Sequence, residues 1–315
     1  MRKSIFMVLL GLLLAVPAFA VNSKPVRELI VSNAATGDGE YSTITAALAA
    51  TDGSTPCIIK VMPGTYTEST ITMKSNVHLQ GSGREVTTLD LQGGTIYMNN
   101  TNSSSITGIT ILMGRDGINC TNCGKATISN NSIIGPGVSL LGNGAILVYN
   151  NTNGSVVISD NIITEYAYGV DMASNAGYVT VRENIIKGNQ FGIYMGGSSQ
   201  STYITGNEII NNTYGVRGGY TNLYVSGNIV NNNVIGLDFV GGVDTVFTGN
   251  TINGNTDYGI RNPSNTAISN NRVTNSGITD ITCVSSTAII SSNVYDTLTG
   301  CTVGAYNVKQ NGIAH

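Results

Sequence analysis

Residues 225–236 read Val225-Ser-Gly-Asn228-Ile-Val230-Asn-Asn-Asn233-Val-Ile-Gly236, and this phrase is one copy of a repeated unit. An aliphatic residue precedes an Asn by three positions, and a second aliphatic residue follows the same Asn by two positions. The phrase recurs with its central Asn at Asn131, Asn161, Asn184, Asn207, Asn228, Asn250, Asn271 and Asn293. From the second of these onward, neighbouring positions lie 21 to 23 residues apart, which indicates a protein built from stacked repeats.

The positions that flank the repeated Asn are apolar in every repeat. Those in front are Ile128, Ile158, Val181, Ile204, Val225, Phe247, Ile268 and Ile290. Those behind are Ile133, Ile163, Ile186, Ile209, Val230, Ile252, Val273 and Tyr295. Such columns form when each coil of a solenoid lies on the previous one at the ~4.8 Å spacing of strands in a sheet. Alternation within segments such as Val179–Arg182 predicts several short strands per coil. We therefore predict an all-β fold, a single-stranded parallel β-helix of about ten coils of about 22 residues.

The repeated Asn residues are predicted to be structural. At a bend, each Asn side chain can form hydrogen bonds with the Asn above and below it. The predicted ladder consists of Asn161, Asn184, Asn207, Asn228, Asn250, Asn271 and Asn293. A second turn ladder is predicted five residues later, at Asn189, Asn212, Asn233 and Asn255. The next strand then restarts at a glycine, where positive φ or close approach is easiest, at Gly169, Gly192, Gly215, Gly236 and Gly259.

Two segments depart from the repeat. The interval between Asn131 and Asn161 is 30 residues, which predicts an extra loop around residues 136–143. Loops that protrude from a rigid scaffold often hold ligands. Residues 41–51 place Ile44, Ala47 and Leu48 at helical spacing, and this short helix can cap the open end of the rod.

The N-terminus reads as an export signal. Basic residues, an apolar run and the small-x-small triplet Ala18-Phe-Ala20 predict a signal peptide over residues 1–20. The mature domain is then 21–315, with a capping segment at about 30–60 and repeats at about 60–305. The apolar run is shorter than a membrane span, so we expect an exported protein, periplasmic or extracellular, with no membrane insertion after cleavage. A net charge of −3 with 10% charged residues predicts no nucleic-acid partner.

Five cysteines in an exported chain allow two disulfides and leave at least one thiol unpaired within a monomer. We expect a disulfide between Cys283 and Cys301. Cys120-x-x-Cys123 lacks a second Cys pair and a nearby His, which disfavours zinc and leaves a local disulfide or two inert thiols.

These phrases resemble the pectin-lyase-like superfamily of right-handed parallel β-helices. The resemblance is carried by Gly37-Asp-Gly-Glu-Tyr-Ser-Thr-Ile44, Ile59-Lys-Val-Met-Pro-Gly-Thr-Tyr66, Asn76-Val-His-Leu-Gln-Gly-Ser-Gly83 and the Asn repeats to about residue 295. It covers nearly the whole mature chain and implies a right-handed helix. The opening segments are similar to pectin methylesterases and related polysaccharide enzymes, but a fold does not fix a function.

The catalytic phrases of that superfamily are incomplete here. Leu237-Asp238-Phe239 is similar to one methylesterase phrase, but Arg217 stands one coil earlier where a second Asp is needed, and the chain has no Trp. Asn255-Thr-Asp257 is similar to the first polygalacturonase motif, without the Asp pair and the His that inverting hydrolysis requires there. Tyr168-Gly-Val-Asp171 matches the first half of an alginate epimerase phrase and lacks its His.

The repeats also predict an outward column of functional side chains. Two residues after each repeat glycine, one coil apart, stand Asp171, Tyr194, Arg217, Asp238 and Arg261. Carboxylates can bind hydroxyls or calcium, Arg can bind uronates, and Tyr can stack on sugars. The alternative is a solvated ladder of ion pairs that contributes little. A parallel aromatic column consists of Tyr168, Phe191, Tyr214 and Tyr258. These rings can either stack on a ligand or pack against one another at the bend.

Three functions fit this column. The first is non-catalytic binding of an extracellular or cell-envelope polysaccharide. The second is a carbohydrate-active lyase, hydrolase, esterase or epimerase, with Asp171, Arg217 and Asp238 as catalytic residues; its ligand-binding residues are Tyr194, Arg261, Tyr168 and Tyr214. The third is a structural surface rod. We expect a monomer that requires no cofactor and has no dedicated metal site, although calcium can take part.

Overall fold

The computed structural model describes residues 26–34, 40–112, 115–137, 142–172, 176–197, 201–219, 222–239, 245–284 and 287–309. The predicted signal peptide, residues 1–20, lies outside the described residues. The described part of the chain contains 37 β-strands and one short α-helix, α1 (Ile44–Ala49). The strands form three sheets of 14, 12 and 11 strands.

The first sheet has the order β2-β1-β3-β6-β9-β12-β15-β18-β21-β24-β27-β30-β33-β36. Its strands are β1 (Arg27–Val31), β2 (Glu40–Tyr41), β3 (Cys57–Val61), β6 (Val77–Gly81), β9 (Ser104–Thr107), β12 (Lys125–Ser129), β15 (Ser155–Ser159), β18 (Tyr178–Arg182), β21 (Ser201–Thr205), β24 (Leu223–Ser226), β27 (Thr245–Thr248), β30 (Thr266–Ser269), β33 (Ile289–Ser291) and β36 (Thr302–Val303).

The second sheet runs from the N-terminal to the C-terminal end of the rod as β4 (Gly64–Thr67), β7 (Thr87–Asp90), β10 (Thr110–Leu112), β13 (Ser132–Ile134), β16 (Ile162–Thr164), β19 (Ile185–Lys187), β22 (Glu208–Ile210), β25 (Ile229–Asn231), β28 (Thr251–Asn253), β31 (Arg272–Thr274), β34 (Val294–Tyr295) and β37 (Val308–Lys309).

The third sheet runs in the same direction as β5 (Ile71–Thr72), β8 (Ile96–Tyr97), β11 (Ile118–Thr121), β14 (Gly144–Tyr149), β17 (Tyr168–Met172), β20 (Phe191–Met195), β23 (Tyr214–Gly218), β26 (Ile235–Phe239), β29 (Tyr258–Arg261), β32 (Thr279–Thr282) and β35 (Leu298–Thr299). Neighbouring strands within it are parallel, as in β20 beside β23. From β3 to β35 each coil contributes one strand to each sheet, and the chain then returns to the first sheet one coil further on. The predicted right-handed parallel β-helix is confirmed.

The core is a stack of buried aliphatic columns inside the rod. Both predicted apolar columns point inward, and members such as Ile204 and Ile209 are fully buried. The third sheet supplies a further column that includes Val170, Ile193 and Val216. These side chains pack on their equivalents in the next coil, so burial in one coil depends on its neighbours.

The bend between the first and second sheets carries the longer Asn ladder. Asn228 accepts hydrogen bonds from the backbone N and Nδ2 of Asn207, each at 2.9 Å. Its own Nδ2 donates to Ile204 O at 2.8 Å and to Asn250 Oδ1 at 3.0 Å. The residue before each ladder Asn has positive φ, including Asp160, Glu183 and Gly227. The second ladder forms in the same way, with Asn189 N donating to Asn212 Oδ1 at 2.9 Å.

Helix α1 lies at the N-terminal end of the rod, against β1, β2, β3 and β5. Its three apolar residues, Ile44, Ala47 and Leu48, are buried. Glu68 accepts hydrogen bonds from the backbone N of Ile44 at 2.6 Å and of Thr45 at 2.9 Å, which satisfies donors in the first turn. The helix is shorter than the predicted 41–51 segment because Thr43 caps its start and Ala50 ends it.

The long interval falls between β13 and β14, as the spacing of Asn131 and Asn161 predicts, and residues 138–141 of that loop lie outside the described residues. Disulfides join Cys283 to Cys301 and Cys120 to Cys123, and Cys57 is a buried free thiol. No helix among the described residues has the length and hydropathy needed to cross a membrane.

Candidate functional site

The third sheet aligns the five residues of the predicted outward column, Asp171, Tyr194, Arg217, Asp238 and Arg261. Backbone pairing joins Asp171 to Tyr194, Tyr194 to Arg217, Arg217 to Asp238, and Asp238 to Arg261. Successive members are therefore one coil apart, at the ~4.8 Å spacing of adjacent strands. We call these five residues the third-sheet column.

The repeat glycines are required because backbones approach each other closely at the start of these strands. A Cβ atom placed on Gly192 would lie 2.5 Å from the carbonyl oxygen of Gly215 and 3.0 Å from Ile209. The same clash with the next coil occurs at Gly169 and Gly215. Of the two reasons that the sequence suggests for these glycines, close approach is the one that the structure shows.

Asp238 lies at the buried centre of an arginine pair. Its side chain is 1% exposed and accepts hydrogen bonds from Arg261, Nε to Oδ1 at 2.9 Å and Nη2 to Oδ2 at 2.8 Å. The Nε atom of Arg217 lies 3.5 Å from Oδ2. Both carboxylate oxygens are thus engaged within the protein, and Asp238 positions the two arginines.

Asp171 has a different environment. The residue is 8% exposed, and its Oδ2 accepts a hydrogen bond from the Tyr149 hydroxyl at 2.7 Å. Its Oδ1 is buried without a hydrogen-bond partner among the described residues. Burial raises the pKa of the Asp171 carboxyl, the hydrogen bond from Tyr149 opposes that shift, and the charge of Asp116 adds to it. Burial also raises the pKa of the Tyr149 hydroxyl.

Tyr149 is a site residue that the repeat pattern misses. Asp171 pairs with Leu147 on the preceding coil, and Tyr149 lies two positions beyond Leu147. The contact is therefore diagonal, and it does not appear in a comparison of equivalent repeat positions.

The aromatic residues that precede the repeat glycines form a ladder beside the third-sheet column. Tyr168 and Phe191 have ring centroids 5.1 Å apart at an interplanar angle of 9°, and Phe191 and Tyr214 are 5.0 Å apart at 13°. Tyr194 of the column lies tilted against both Tyr168 and Phe191. The ring faces of this ladder are largely occupied by one another. Tyr258 is separated from the stack by Ile235.

Arg217 combines a fixed position with available donors. Its side chain is 36% exposed, and its guanidinium lies over the Tyr214 ring at 4.5 Å. The single described polar contact of Arg217 is made through Nε to Asp238, so both Nη groups can bind a ligand. A guanidinium held in this way suits bidentate recognition of a carboxylate.

A polar groove of about 710 Å³ runs along the bend that leads into these strands. Its lining includes Gln190, Asn211, Thr213, Asn232 and Thr256, from successive coils. Gln190 and Thr213 directly precede Phe191 and Tyr214 in the chain, so the groove borders the aromatic ladder. Amide and hydroxyl groups in such an array can both donate and accept hydrogen bonds. The repeat pattern indicates a structural role for the Asn-rich turns, and it does not distinguish the exposed amides of Asn211 and Asn232 from the buried ladder residues beside them.

The predicted carboxylates do not form a hydrolytic pair with each other. Asp171 and Asp238 are three strands apart, on the order of 14 Å at the usual strand spacing, whereas paired carboxylates of glycosidases lie about 5–9.5 Å apart. Within the described ranges, no group of three or more His, Cys, Asp or Glu side chains could hold a metal ion. Calcium binding stays a prediction.

Comparisons with known proteins agree with this architecture. A family model described as "Right handed beta helix region" matches residues 64–209 and 116–271. No curated protein matches the chain in sequence.

Solved structures with a similar fold include the catalytic unit of a GH87 α-1,3-glucanase from Streptomyces thermodiastaticus strain HF3-3, at 15% identity and a TM-score of 0.61, covering 90% of this chain and 69% of that one. The A-module of the mannuronan C-5 epimerase AlgE6 from Azotobacter vinelandii has 15% identity and a TM-score of 0.50, and the match covers 85% of this chain and 91% of that one. A tailspike protein of E. coli bacteriophage HK620, in complex with a pentasaccharide, has 12% identity and a TM-score of 0.53, and the match covers 91% of this chain and 64% of that one. At these identities the likeness concerns the fold alone.

Proposed function

We propose that this chain, which belongs to the right-handed β-helix family, is an exported protein. It binds an acidic polysaccharide on the outward face of its solenoid. The observation that carries the proposal is the arrangement of Arg217, which is held by Asp238 and Tyr214 and has both Nη groups available. The ligand group that we assign to the Arg217 guanidinium is a uronate carboxylate.

Neighbouring groups supply contacts that a sugar chain needs. Tyr194 lies one coil before Arg217 in the same column, and the polar groove offers amides and hydroxyls for sugar hydroxyls. The column and the groove both take their residues from successive coils, so an extended polymer can contact several coils at once. The groove and the column together favour a chain-like ligand over a small compact one.

The similar structures support a carbohydrate ligand in general terms. Their names describe an α-1,3-glucanase, a mannuronan epimerase and a tailspike in complex with a pentasaccharide. Three proteins of this fold that act on or bind saccharides raise the expectation for a fourth, but they do not identify its glycan.

Binding is tested by isothermal titration calorimetry of the Val21–His315 protein with oligogalacturonate and oligomannuronate. We expect Arg217→Ala to weaken binding by about tenfold or more, and Arg217→Lys to recover part of it, since Lys keeps the charge but not the bidentate geometry. Arg182→Ala removes an exposed Arg from the first sheet and is the matched control. Equal affinity of the Arg217→Ala and wild-type proteins would exclude this site.

A second candidate function is catalysis at Asp171. The buried carboxyl with a raised pKa, hydrogen-bonded to Tyr149, is suited to proton transfer to or from a bound sugar. Mass spectrometry of acidic and neutral oligosaccharides incubated with the protein, with and without calcium, distinguishes hydrolysis, elimination and ester cleavage; proton exchange from solvent deuterium reports epimerisation. Products that form with wild type and are lost in Asp171→Asn would establish an enzyme.

Export rests on the predicted signal peptide. Expression of the full chain in a bacterial host, followed by N-terminal sequencing of the released protein, should give Val21 as the first residue. Sedimentation of the same protein tests the expected monomer. A third alternative, a rod with no glycan ligand, predicts no binding in any of these experiments.

A further inference from the structure

Three exposed tyrosines lie together on the outward face of the first sheet. Tyr178, Tyr203 and Tyr224 are 50%, 46% and 41% exposed. Tyr203 pairs directly with Tyr224, and their ring centroids are 6.2 Å apart at 40°. Tyr178 pairs with Ser201, two residues before Tyr203, so strand alternation places its side chain on the same face. We call these three residues the tyrosine cluster.

The cluster differs from the aromatic ladder of the third sheet. There, neighbouring rings stack almost in parallel at 9° and 13° and cover one another's faces. In the cluster the rings of Tyr203 and Tyr224 are tilted, and the three side chains lie on three adjacent strands, which leaves ring surface open to solvent. Outside the cluster, Tyr306 is the one other described tyrosine with comparable exposure. Concentration of exposed aromatic surface at one place on a soluble protein indicates an interaction site.

The surroundings of the cluster are polar and nearly uncharged. A hydroxyl column beside it contains Thr205, Ser226 and Thr248, paired strand to strand. The strands β18, β21 and β24 contribute one charged side chain, Arg182, which forms an ion pair with Glu183. The three strands of the cluster therefore carry one charged side chain, and it is paired, whereas the third-sheet column presents two carboxylates and two arginines.

We infer that the tyrosine cluster is a second glycan-binding surface, and that it takes a neutral polysaccharide. The electron-rich face of an aromatic ring attracts the C–H groups on the flat side of a pyranose, and burying that side removes apolar surface from water. The adjacent Thr and Ser hydroxyls can form hydrogen bonds with the hydroxyls of the sugar. Because the one arginine of these strands is paired with Glu183, the surroundings of the cluster fit an uncharged chain better than a uronate, a membrane or a nucleic acid. The inference rests on the proposed function only in taking a polysaccharide as the ligand.

A purely structural role makes a different prediction. Cross-strand aromatic pairs stabilise sheets. In that case, loss of the rings lowers stability without changing the binding of any sugar. Stability and binding must therefore be measured on the same variants.

The test uses the Val21–His315 protein with cellohexaose and maltohexaose as neutral probes and hexagalacturonate as the acidic probe, measured by calorimetry. The test variant is Tyr203→Thr/Tyr224→Thr, because Thr keeps a high strand propensity and matches the neighbouring hydroxyls. Tyr203→Phe/Tyr224→Phe retains the rings, and Tyr306→Thr removes an exposed ring elsewhere. Circular dichroism and thermal unfolding check the fold, and Tyr178→Thr, at the start of a strand, serves if the double variant does not fold.

We expect wild type to bind at least one neutral probe, the Thr variant to bind it about tenfold more weakly, and the Phe variant to stay within about threefold of wild type. Hexagalacturonate binding should not change in the Thr variant, whereas Arg217→Ala should weaken only hexagalacturonate binding. Failure of the acidic probe alone would thus count against the proposed function and not against the cluster. The inference is overturned if no neutral probe binds, if the Thr variant binds as wild type does, or if the cluster instead mediates a self-association that the Thr variant abolishes.

Discussion

Arg261 holds the buried carboxylate of Asp238 through two parallel hydrogen bonds, Nε to Oδ1 at 2.9 Å and Nη2 to Oδ2 at 2.8 Å. The two residues occupy equivalent positions on adjacent coils. This pair fixes the carboxylate on which Arg217 also rests, so the geometry of the candidate uronate contact depends on a residue that is one coil beyond Asp238.

Removal of Arg261 should destabilise the protein because it leaves a buried charge without its main partner. We expect Arg261→Met to lower the free energy of unfolding by about 3 kcal/mol. Arg217→Met is the matched control, and its loss should stay below about 1 kcal/mol because the Arg217 contact is longer and more exposed. Unfolding of both variants in guanidinium chloride measures this difference. Equal losses in the free energy of unfolding would contradict the assignment of Arg261 as the main partner of Asp238.

The Asn ladder should be intolerant of substitution. Asn228→Ala removes the acceptor for two donors of Asn207 and the donor to Ile204 O, all buried. We expect a loss of about 3 kcal/mol or more, since each buried unsatisfied group costs about 1–3 kcal/mol. Asn232→Gly, at an exposed position with positive φ, should change stability by less than about 1 kcal/mol. Thermal unfolding of the two variants provides the comparison.

Asp171 should make stability depend on pH. Its pKa is higher in the folded protein than the ~3.9 of an unfolded Asp. Between these two values the folded state binds more protons than the unfolded state, so stability falls as pH rises through this window and stays lower above it. Asp171→Asn keeps an acceptor for Tyr149 and should raise the melting temperature at pH 7 relative to wild type, with little difference at pH 3. A variant with the same relative stability at both pH values would contradict the raised pKa.

Glu183 occupies a backbone conformation that suits glycine. Its φ is 57°, and the next three coils have Gly206, Gly227 and Gly249 at the equivalent position, before the ladder Asn. A left-handed conformation costs a non-glycine residue about 1–2 kcal/mol. Substitution by glycine removes this cost, but part of the gain is lost because glycine loses more chain entropy on folding. We expect Glu183→Gly to stabilise the protein by about 0.5–1 kcal/mol, and Glu183→Ala to give no gain. Chemical denaturation measures both.

The disulfide between Cys283 and Cys301 should stabilise the C-terminal coils. It closes a segment with a sequence separation of 18, for which chain entropy gives about 3 kcal/mol. The double variant Cys283→Ala/Cys301→Ala should unfold at lower denaturant concentration than wild type, and more so than Cys120→Ala/Cys123→Ala, whose loop is much shorter. Hydrogen exchange of residues 279–303 would show whether the loss is local to these coils.

The sequence predicts the fold well because each coil repeats the same requirements. Asn228 needs an Asn above and below it, and Val225 and Val230 need apolar equivalents, so the period appears directly in the residue order. The register of the third-sheet column follows from the same period. Helix α1 was also found, since Ile44, Ala47 and Leu48 repeat at helical spacing.

The contacts within the site were less accessible to sequence reasoning. The diagonal contact between Tyr149 and Asp171 and the choice of Arg261 as the main partner of Asp238 depend on side-chain conformations rather than on repeat position. Asp238 is predicted to face a ligand, and in the structure its carboxylate is buried and contacts Arg217 and Arg261. The tyrosine cluster was missed because Tyr203 and Tyr224 occupy an ordinary outward strand position that many residue types fill.

The Asn ladder also bears on how such a protein changes over evolutionary time. Each ladder Asn accepts hydrogen bonds from the Asn one coil earlier and donates to the Asn one coil later, in the same geometry from Asn161 to Asn271. Duplication or deletion of one whole coil therefore joins compatible ends and preserves the bonding pattern. The length of the molecule, and with it the area of its outward faces, can therefore grow or shrink in single-coil steps while the same hydrogen bonds are kept.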